Sequence, residues 1–137
     1  GGHHTAAVGS EGDVYSWGWG NEGQLGNGSR NDQLVPFLVQ GLDNHRVVSV
    51  SCGFYHTVVA TEAGAVLCWG KGNSGQLGLG NASGSLVPRP VSALGAYHIH
   101  QVSCGAAHTL AVTDRGELFA WGQGSDGQLG LGNASGC

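Results

Sequence analysis

The chain has no methionine and very little charge. Asp, Glu, Lys and Arg make up 10% of its 137 residues, where about 25% is usual. Its five Lys and Arg are never adjacent and face nine acids, for a net charge of −4. So few cations cannot neutralise a phosphate backbone, and direct nucleic-acid binding is not expected of this segment. No apolar run approaches the roughly 18 residues that a membrane-spanning helix needs, and no secretory leader is visible. Four cysteines occur, Cys52, Cys68, Cys104 and Cys137, without a CxxC pair. A zinc site therefore lacks a local nucleus. A disulfide framework is not expected either, and a reducing, intracellular setting (cytoplasmic or nuclear) is. Helical periodicity is missing throughout. With no initiator residue, and with both ends inside a repeat, a fragment of a longer protein is expected.

What the chain does have is glycine, 27 residues of it, and ordered apolar residues amounting to 40%. The order is a repeat. Trp17, Trp69 and Trp121 are 52 residues apart, as are His4, His56 and His108. Residues 1–33, 53–85 and 105–137 align without a gap and share 12 identical positions, among them His4, Thr5, Trp17, Gly18, Gln24, Leu25 and Gly26. Copies therefore begin near residues 1, 53 and 105, about 2.6 of them, and are read as parts of one domain spanning residues 1–137. Within a period, short apolar runs predict strands at 47–52, 56–61 and 65–69, with a weaker one near Val91 beside Pro88 and Pro90. Gly64 and Gly116 lie where tight turns need positive φ. Four strands in about 50 residues describe a propeller blade. The fold class is all-β, a partial β-propeller of four-stranded antiparallel blades, with one complete blade expected near 45–95.

The runs CGFYHTVVATEAGAVLCWGKGNSGQLGLG (52–80) and CGAAHTLAVTDRGELFAWGQGSDGQLGLG (104–132) resemble the RCC1 repeat, through CGxxHT, WG and GQLG at fixed spacing. The resemblance covers essentially the whole chain and implies a complete ring of seven blades. It also implies three kinds of function. Family members include an exchange factor for a small GTPase that uses a wedge insertion. The uniform 52-residue spacing leaves no room for a wedge in these repeats. A plant ultraviolet photoreceptor of this type uses Trp in a GWRHT motif, where this chain has Gly2, Phe54 and Ala106. Other members are recognition domains of larger machines, including HECT-type ubiquitin ligases.

The conspicuous residues have plain structural readings. His4, His56 and His108 recur in register, and a catalytic group is rarely needed three times. Each is expected to be buried, with its imidazole bonded to backbone. Trp17, Trp69 and Trp121 are expected to pack between blades, and Gln24, Gln76 and Gln128 to belong to the repeated turn. His98 and His100 form an HxH pair without a third ligand, so no metal is inferred. Gly70, Gly72 and Gly75 spell GxGxxG outside any βαβ unit, which makes a turn and not a dinucleotide site. No cofactor is implied. No nucleophile, base and orienting acid form a set, so the segment is read as non-enzymatic.

The reading is a rigid scaffold for protein–protein interaction, since loops on a rigid frame are where binding resides. The copies differ most at 29–33, 42–46 and 93–100, so Asn31, Asp32, Asn44, His45, Tyr97 and His98 are the candidate contact residues. The expected partner is a protein, with a small GTPase as one alternative, and no membrane. Open blade faces at either end are also expected to drive self-association.

Overall fold

The computed structural model describes residues 4–20, 24–26, 32–42, 45–53, 55–71, 84–91, 97–105 and 108–122. These residues form strands β1 (His4–Val8), β2 (Val14–Gly18), β3 (Gln33–Leu38), β4 (Val47–Cys52), β5 (His56–Thr61), β6 (Val66–Gly70), β7 (Ser85–Pro90), β8 (Ile99–Cys104), β9 (His108–Thr113) and β10 (Leu118–Gly122). No helix occurs among the described residues. Three antiparallel sheets result, ordered β1-β2-β3, β4-β5-β6-β7 and β8-β9-β10. The middle sheet is the complete blade that the sequence leads one to expect.

Strands β4 and β5 have the expected bounds, while β6 starts one residue late and the outer strand lies before Val91. The Val91 N–H still donates to Val66 O at 2.9 Å, closing the end of the ladder. Pro88 and Pro90 sit in β7, an edge strand, where a missing N–H costs no ladder bond. A period counted from residue 53 takes in β5, β6, β7 and β8, and β8 belongs to the next sheet. The sequence repeat therefore straddles two blades and ties each sheet covalently to its neighbour.

The Trp-Gly pairs have a backbone reason. Gly18 and Gly70 have φ of 109° and 108°, and the register toward the outer strand slips at both. A Cβ at Gly70 would run into the Tyr55 carbonyl oxygen and lie 2.8 Å from His56 Cα. The WG step is thus a bulge that only glycine fills.

The core lies between blades. One cluster joins Val14, Val39 and Leu42 of the first sheet to Val47, Val59, Leu67 and Trp69 of the second. The other joins Val58, Ala60, Val66, Cys68 and Val91 to Ile99, Val102, Ala111 and Phe119 of the third. Strand β5 is buried along its whole length because its blade has a neighbour on each side. The alternation of a strand therefore sorts its residues toward one neighbour or the other rather than toward core or solvent.

Ser16 is the exception in this packing. It occupies the position that Cys68 and Ala120 hold in the other sheets. It is fully buried, and its Oγ has no hydrogen-bond partner among the described residues. Removing a buried, unbonded hydroxyl removes its desolvation penalty. Ser16→Ala should therefore raise unfolding free energy by about 1 kcal/mol in urea titrations. A loss of stability would show that the hydroxyl is bonded after all.

Candidate functional site

Every blade has two rims of different character. Strands β1 and β5 each begin at a histidine opposite a Trp-Gly glycine (His4 opposite Gly18, His56 opposite Gly70) and run toward a tight turn at the other rim.

The histidine rim holds a lock that steps from one blade to the next. Thr57 Oγ1 donates to the Gln24 carbonyl at 2.7 Å, which commits its proton. His4 Nε2, 2.9 Å from Thr57 Oγ1, must then be the donor to it, fixing the imidazole tautomer. Trp69 Nε1 donates to the same Gln24 carbonyl at 2.9 Å. Gln24 and Leu25 are fully buried. Gly26 approaches the Trp69 ring so closely that a Cβ would lie 2.8 Å from Nε1. The GQLG turn of one repeat is thus clasped by the Thr and Trp of the next. The step recurs at His56, whose Nε2 lies 3.0 Å from Thr109 Oγ1. The innermost strands repeat it as well. Val102 N donates to Ser49 Oγ at 3.2 Å, and Cys104 N donates to Ser51 Oγ at 3.0 Å. These four side-chain links all join residues 53 apart, one more than the period.

The structure adds to the backbone bond that the sequence suggested: His4 and His56 direct Nε2 to a threonine hydroxyl of the next blade, and His56 also has a hydrogen bond with the His108 backbone. His4 and His56 are buried, whereas His108 is half-buried. Trp69 is fully buried and Trp17 half-buried. Gln76 and Gln128 lie outside the described residues, as does the side chain of Trp121. Sequence reasoning passed over Thr57, Ser49 and Ser51. The repetition of Thr5, Thr57 and Thr109, and of Ser51 and Ser103, was the signal available for the threonines and Ser51. Ser49, with Gln101 one period on, had none.

Burial pushes the His56 imidazole down to about 4, partly offset by a hydrogen bond with the His108 backbone. Its Nδ1 is buried and has no hydrogen-bond partner among the described residues, so a proton there would find no acceptor. Burial pushes the Cys68 and Cys104 thiols up to about 12. Both are poor nucleophiles at neutral pH. Cys104 is only half-buried as a residue, but its Sγ is turned inward and donates to Ser51 O at 3.6 Å.

The opposite rim is a ridge of turns bonded across blades. Val47 N donates to Gly12 O at 3.1 Å, and one period later Ile99 N donates to Gly64 O at 3.0 Å. Glu62 N donates to Arg46 O at 2.7 Å, and Asp114 N to His98 O at 3.0 Å. Arg46 reaches Ser10 O at 3.2 Å through Nη2, and Glu62 at 3.3 Å in an exposed ion pair worth little stability. Five acids (Glu11, Asp13, Glu62, Asp114, Glu117) accompany two arginines, Arg46 and Arg115, along this ridge. A cleft of about 320 Å³ opens at its third-blade end, lined by Tyr97, His98, Thr113, Asp114, Arg115 and Glu117. The Tyr97 ring is tilted against Phe119 with centroids 4.6 Å apart. Of the candidate contact residues, His45, Tyr97 and His98 belong to this ridge. Asp32 lies at the other rim and accepts from Gly20 N at 2.9 Å. Asn31 and Asn44 lie outside the described residues. Among the described residues, no group of three or more His, Cys, Asp or Glu could hold a metal. No helix among them is long and apolar enough to cross a membrane.

Two outcomes follow from the lock. The unfolded His56 imidazole titrates near 6.5 and the folded one near 4, so between those values the unfolded state binds the extra proton. His56's contribution is complete above pH 6.5 and is lost as pH falls, at up to about 1.4 kcal/mol per pH unit. Urea midpoints of wild type and His56→Gln between pH 7.5 and 4 should therefore converge as pH falls, and parallel profiles would contradict the buried neutral imidazole. Thr57→Val removes both bonds of a buried hydroxyl and should cost about 1–3 kcal/mol. In dilute solution Thr5→Val, at the same repeat position but exposed, should stay within about 0.5 kcal/mol of wild type.

Comparison with known sequences and folds agrees with this geometry. The sequence model of the Regulator of chromosome condensation (RCC1) repeat matches residues 11–60 and 63–112, and a second model of the same repeat matches 47–76 and 99–128. The ultraviolet-B receptor UVR8 of Arabidopsis thaliana is 46% identical over 134 residues, 97% of this chain and 30% of the receptor. The human E3 ubiquitin-protein ligase HERC2 is 40% identical over 139 residues, all of this chain and 3% of the ligase. Among solved structures, human WBSCR16 superposes with a TM-score of 0.83 at 28% identity, over 89% of this chain and 31% of that one. Prp20p of Saccharomyces cerevisiae, whose structure is described with its binding properties to Gsp1p and histones, gives 0.78 at 29%, over 94% and 32%. The chain spans less than a third of the length of each of these four relatives. With a repeat matched at starts 52 residues apart, strands in four-stranded order and a lock passed from blade to blade, the chain belongs to the RCC1 repeat family of β-propellers.

Proposed function

We propose that this segment is a protein-recognition scaffold that binds its partner along the turn ridge. The separation of the two rims carries the reading. The histidine rim spends its repeated side chains on holding blades together, and they are buried in doing so. The ridge gives its backbone to the inter-blade bonds, which frees the side chains of Glu11, Glu62, His98, Asp114 and Arg115 to face solvent. Those are also side chains that change from one repeat to the next. A rigid backbone with variable exposed side chains is how loop-borne recognition is built. Five acids against two arginines give the ridge a negative field that favours a partner with a basic surface and steers its approach.

A second reading, a share in nucleotide exchange on a small GTPase, draws on the likeness to Prp20p and the Gsp1p binding named with that structure. The uniform repeat spacing supports the scaffold reading over this one.

Charge reversal separates the two. Glu62→Lys with Asp114→Lys, both at exposed positions, should leave the melting temperature nearly unchanged. The pair should weaken binding of a purified partner to the full-length parent at least tenfold in calorimetry. Asp32→Asn, on the histidine rim away from the ridge, should not weaken it. Equal loss from both variants would remove the ridge as the site. Accelerated nucleotide release from a small GTPase by this chain would replace the scaffold reading with exchange.

A further inference from the structure

Along the turn ridge the same backbone frame occurs twice, with different side chains in it. At the step from the first sheet to the second, Val47 N donates to Gly12 O and Glu62 N to Arg46 O. At the step from the second to the third, Ile99 N donates to Gly64 O and Asp114 N to His98 O. The two steps therefore correspond residue by residue. Arg46 matches His98, Ser10 matches Glu62, Gly12 matches Gly64, and Glu62 matches Asp114.

At the first step the frame is filled. The stem of Arg46 lies on Gly12, where an added Cβ would come within 2.5 Å of Cγ. Its Nη2 donates to the Ser10 carbonyl at 3.2 Å, and its Nε lies 3.3 Å from Glu62 Oε2. One guanidinium thus spans a turn carbonyl of one blade and a carboxylate of the next. At the second step a shorter side chain holds the place of the stem. The His98 ring rests on Gly64, with Nδ1 2.6 Å from where a Cβ would be. The matching acceptors are the Glu62 carbonyl and the Asp114 carboxylate, and among the described residues no donor reaches either. Both sheets that build this step are in place. The Glu62 side chain is 70% exposed although its blade has a neighbour on each side, so access to the ridge is not a matter of a missing blade.

We infer that the second step receives an arginine side chain of the partner protein, whose guanidinium bridges the Glu62 carbonyl and the Asp114 carboxylate as Arg46 bridges their counterparts. Arg46 is an internal copy of the ligand, and the position of His98 is where the chain leaves that copy out. The inference rests on the recognition ridge proposed above and narrows its partner from a basic surface to one residue type. Lysine is a poor substitute, because its ammonium is a point charge while the planar guanidinium presents donors toward two acceptors at once. An exposed pair of this kind adds little energy by itself. The site therefore selects arginine within an interface whose affinity is gathered along the whole ridge.

The probe is a capped Gly-Arg-Gly tripeptide, titrated into the protein while backbone amide resonances are followed by nuclear magnetic resonance, with Gly-Lys-Gly as its counterpart. The arginine peptide should shift the Asp114 amide saturably, and the lysine peptide should bind about fivefold more weakly. His98→Arg fills the step from within and should weaken the arginine peptide about tenfold, the worth of a charge-assisted hydrogen bond. Ala63→Arg adds the same charge at an exposed position next to Glu62 but outside the frame, and should weaken it no more than about twofold. Arg46→Ala empties the first step and should bring a second saturable response, at the Glu62 amide. If His98→Arg loses its dispersed amide spectrum, Asp114→Asn takes its place and should weaken the peptide to the same degree. No saturable shift at millimolar peptide, equal binding of the two peptides, equal losses from His98→Arg and Ala63→Arg, or no gained response in Arg46→Ala would each overturn the arginine site. Those results would leave the recognition ridge standing, since the ridge falls only by the charge-reversal test on partner binding.

Discussion

The rest of the structure hangs on a hydrogen-bonded step between consecutive repeats. A histidine gives its Nε2 proton to a threonine of the next blade, and that threonine passes its own proton to the carbonyl of Gln24, which also receives the Trp69 indole. Each of these bonds crosses from one repeat to the next. The step therefore leaves buried polar groups of one blade to be satisfied by the next. The aliphatic clusters on either side of the middle sheet supply the burial, and the lock fixes how one sheet is placed on the next. Low charge follows from the same constraint. With both faces of a middle sheet buried, few strand positions are left where a charge would stay solvated.

This division gives the two rims a different tolerance for substitution. On the histidine rim the bonding groups are side chains, so a change of residue breaks an inter-blade bond. On the ridge the bonding groups are backbone N–H and carbonyl groups, as from Val47 to Gly12 and from Glu62 to Arg46. Side chains there can vary without loosening the blades. The frame anchors this rim through atoms that every residue type possesses, which leaves its side chains free for the recognition role proposed above.

Much of this was legible in the residues. The 52-residue period, the strands at 47–52 and 56–61 and the non-helical class follow from β-branched alternation and glycine punctuation. They depend on local conformation that each segment expresses by itself. The sequence places the outer strand near Val91 with Pro88 and Pro90 as its flank, whereas both prolines lie inside it. The ladder instead uses Ser85–Pro90, whose partners on β6 are remote in sequence. The WG glycines were read as part of a motif, but a bulge pressed against the Tyr55 carbonyl is a matter of two chain segments meeting.

What the sequence by itself determined is the repeat, and with it the number and kind of strands, since a pattern repeated in register must fold into repeated elements. What only the tertiary structure decided is where a repeat ends as a physical object. A period counted from residue 53 gives its last strand to the following sheet, and its bonds run 53 residues forward rather than within itself. Whether Thr5 and Thr57 are the same residue in energetic terms is decided there too. Their sequence contexts match, but one faces solvent and the other is clasped between His4 and Gln24. The reason is that a hydrogen bond is a statement about a neighbour, and a repeat specifies its neighbour only when the neighbouring blade is in place.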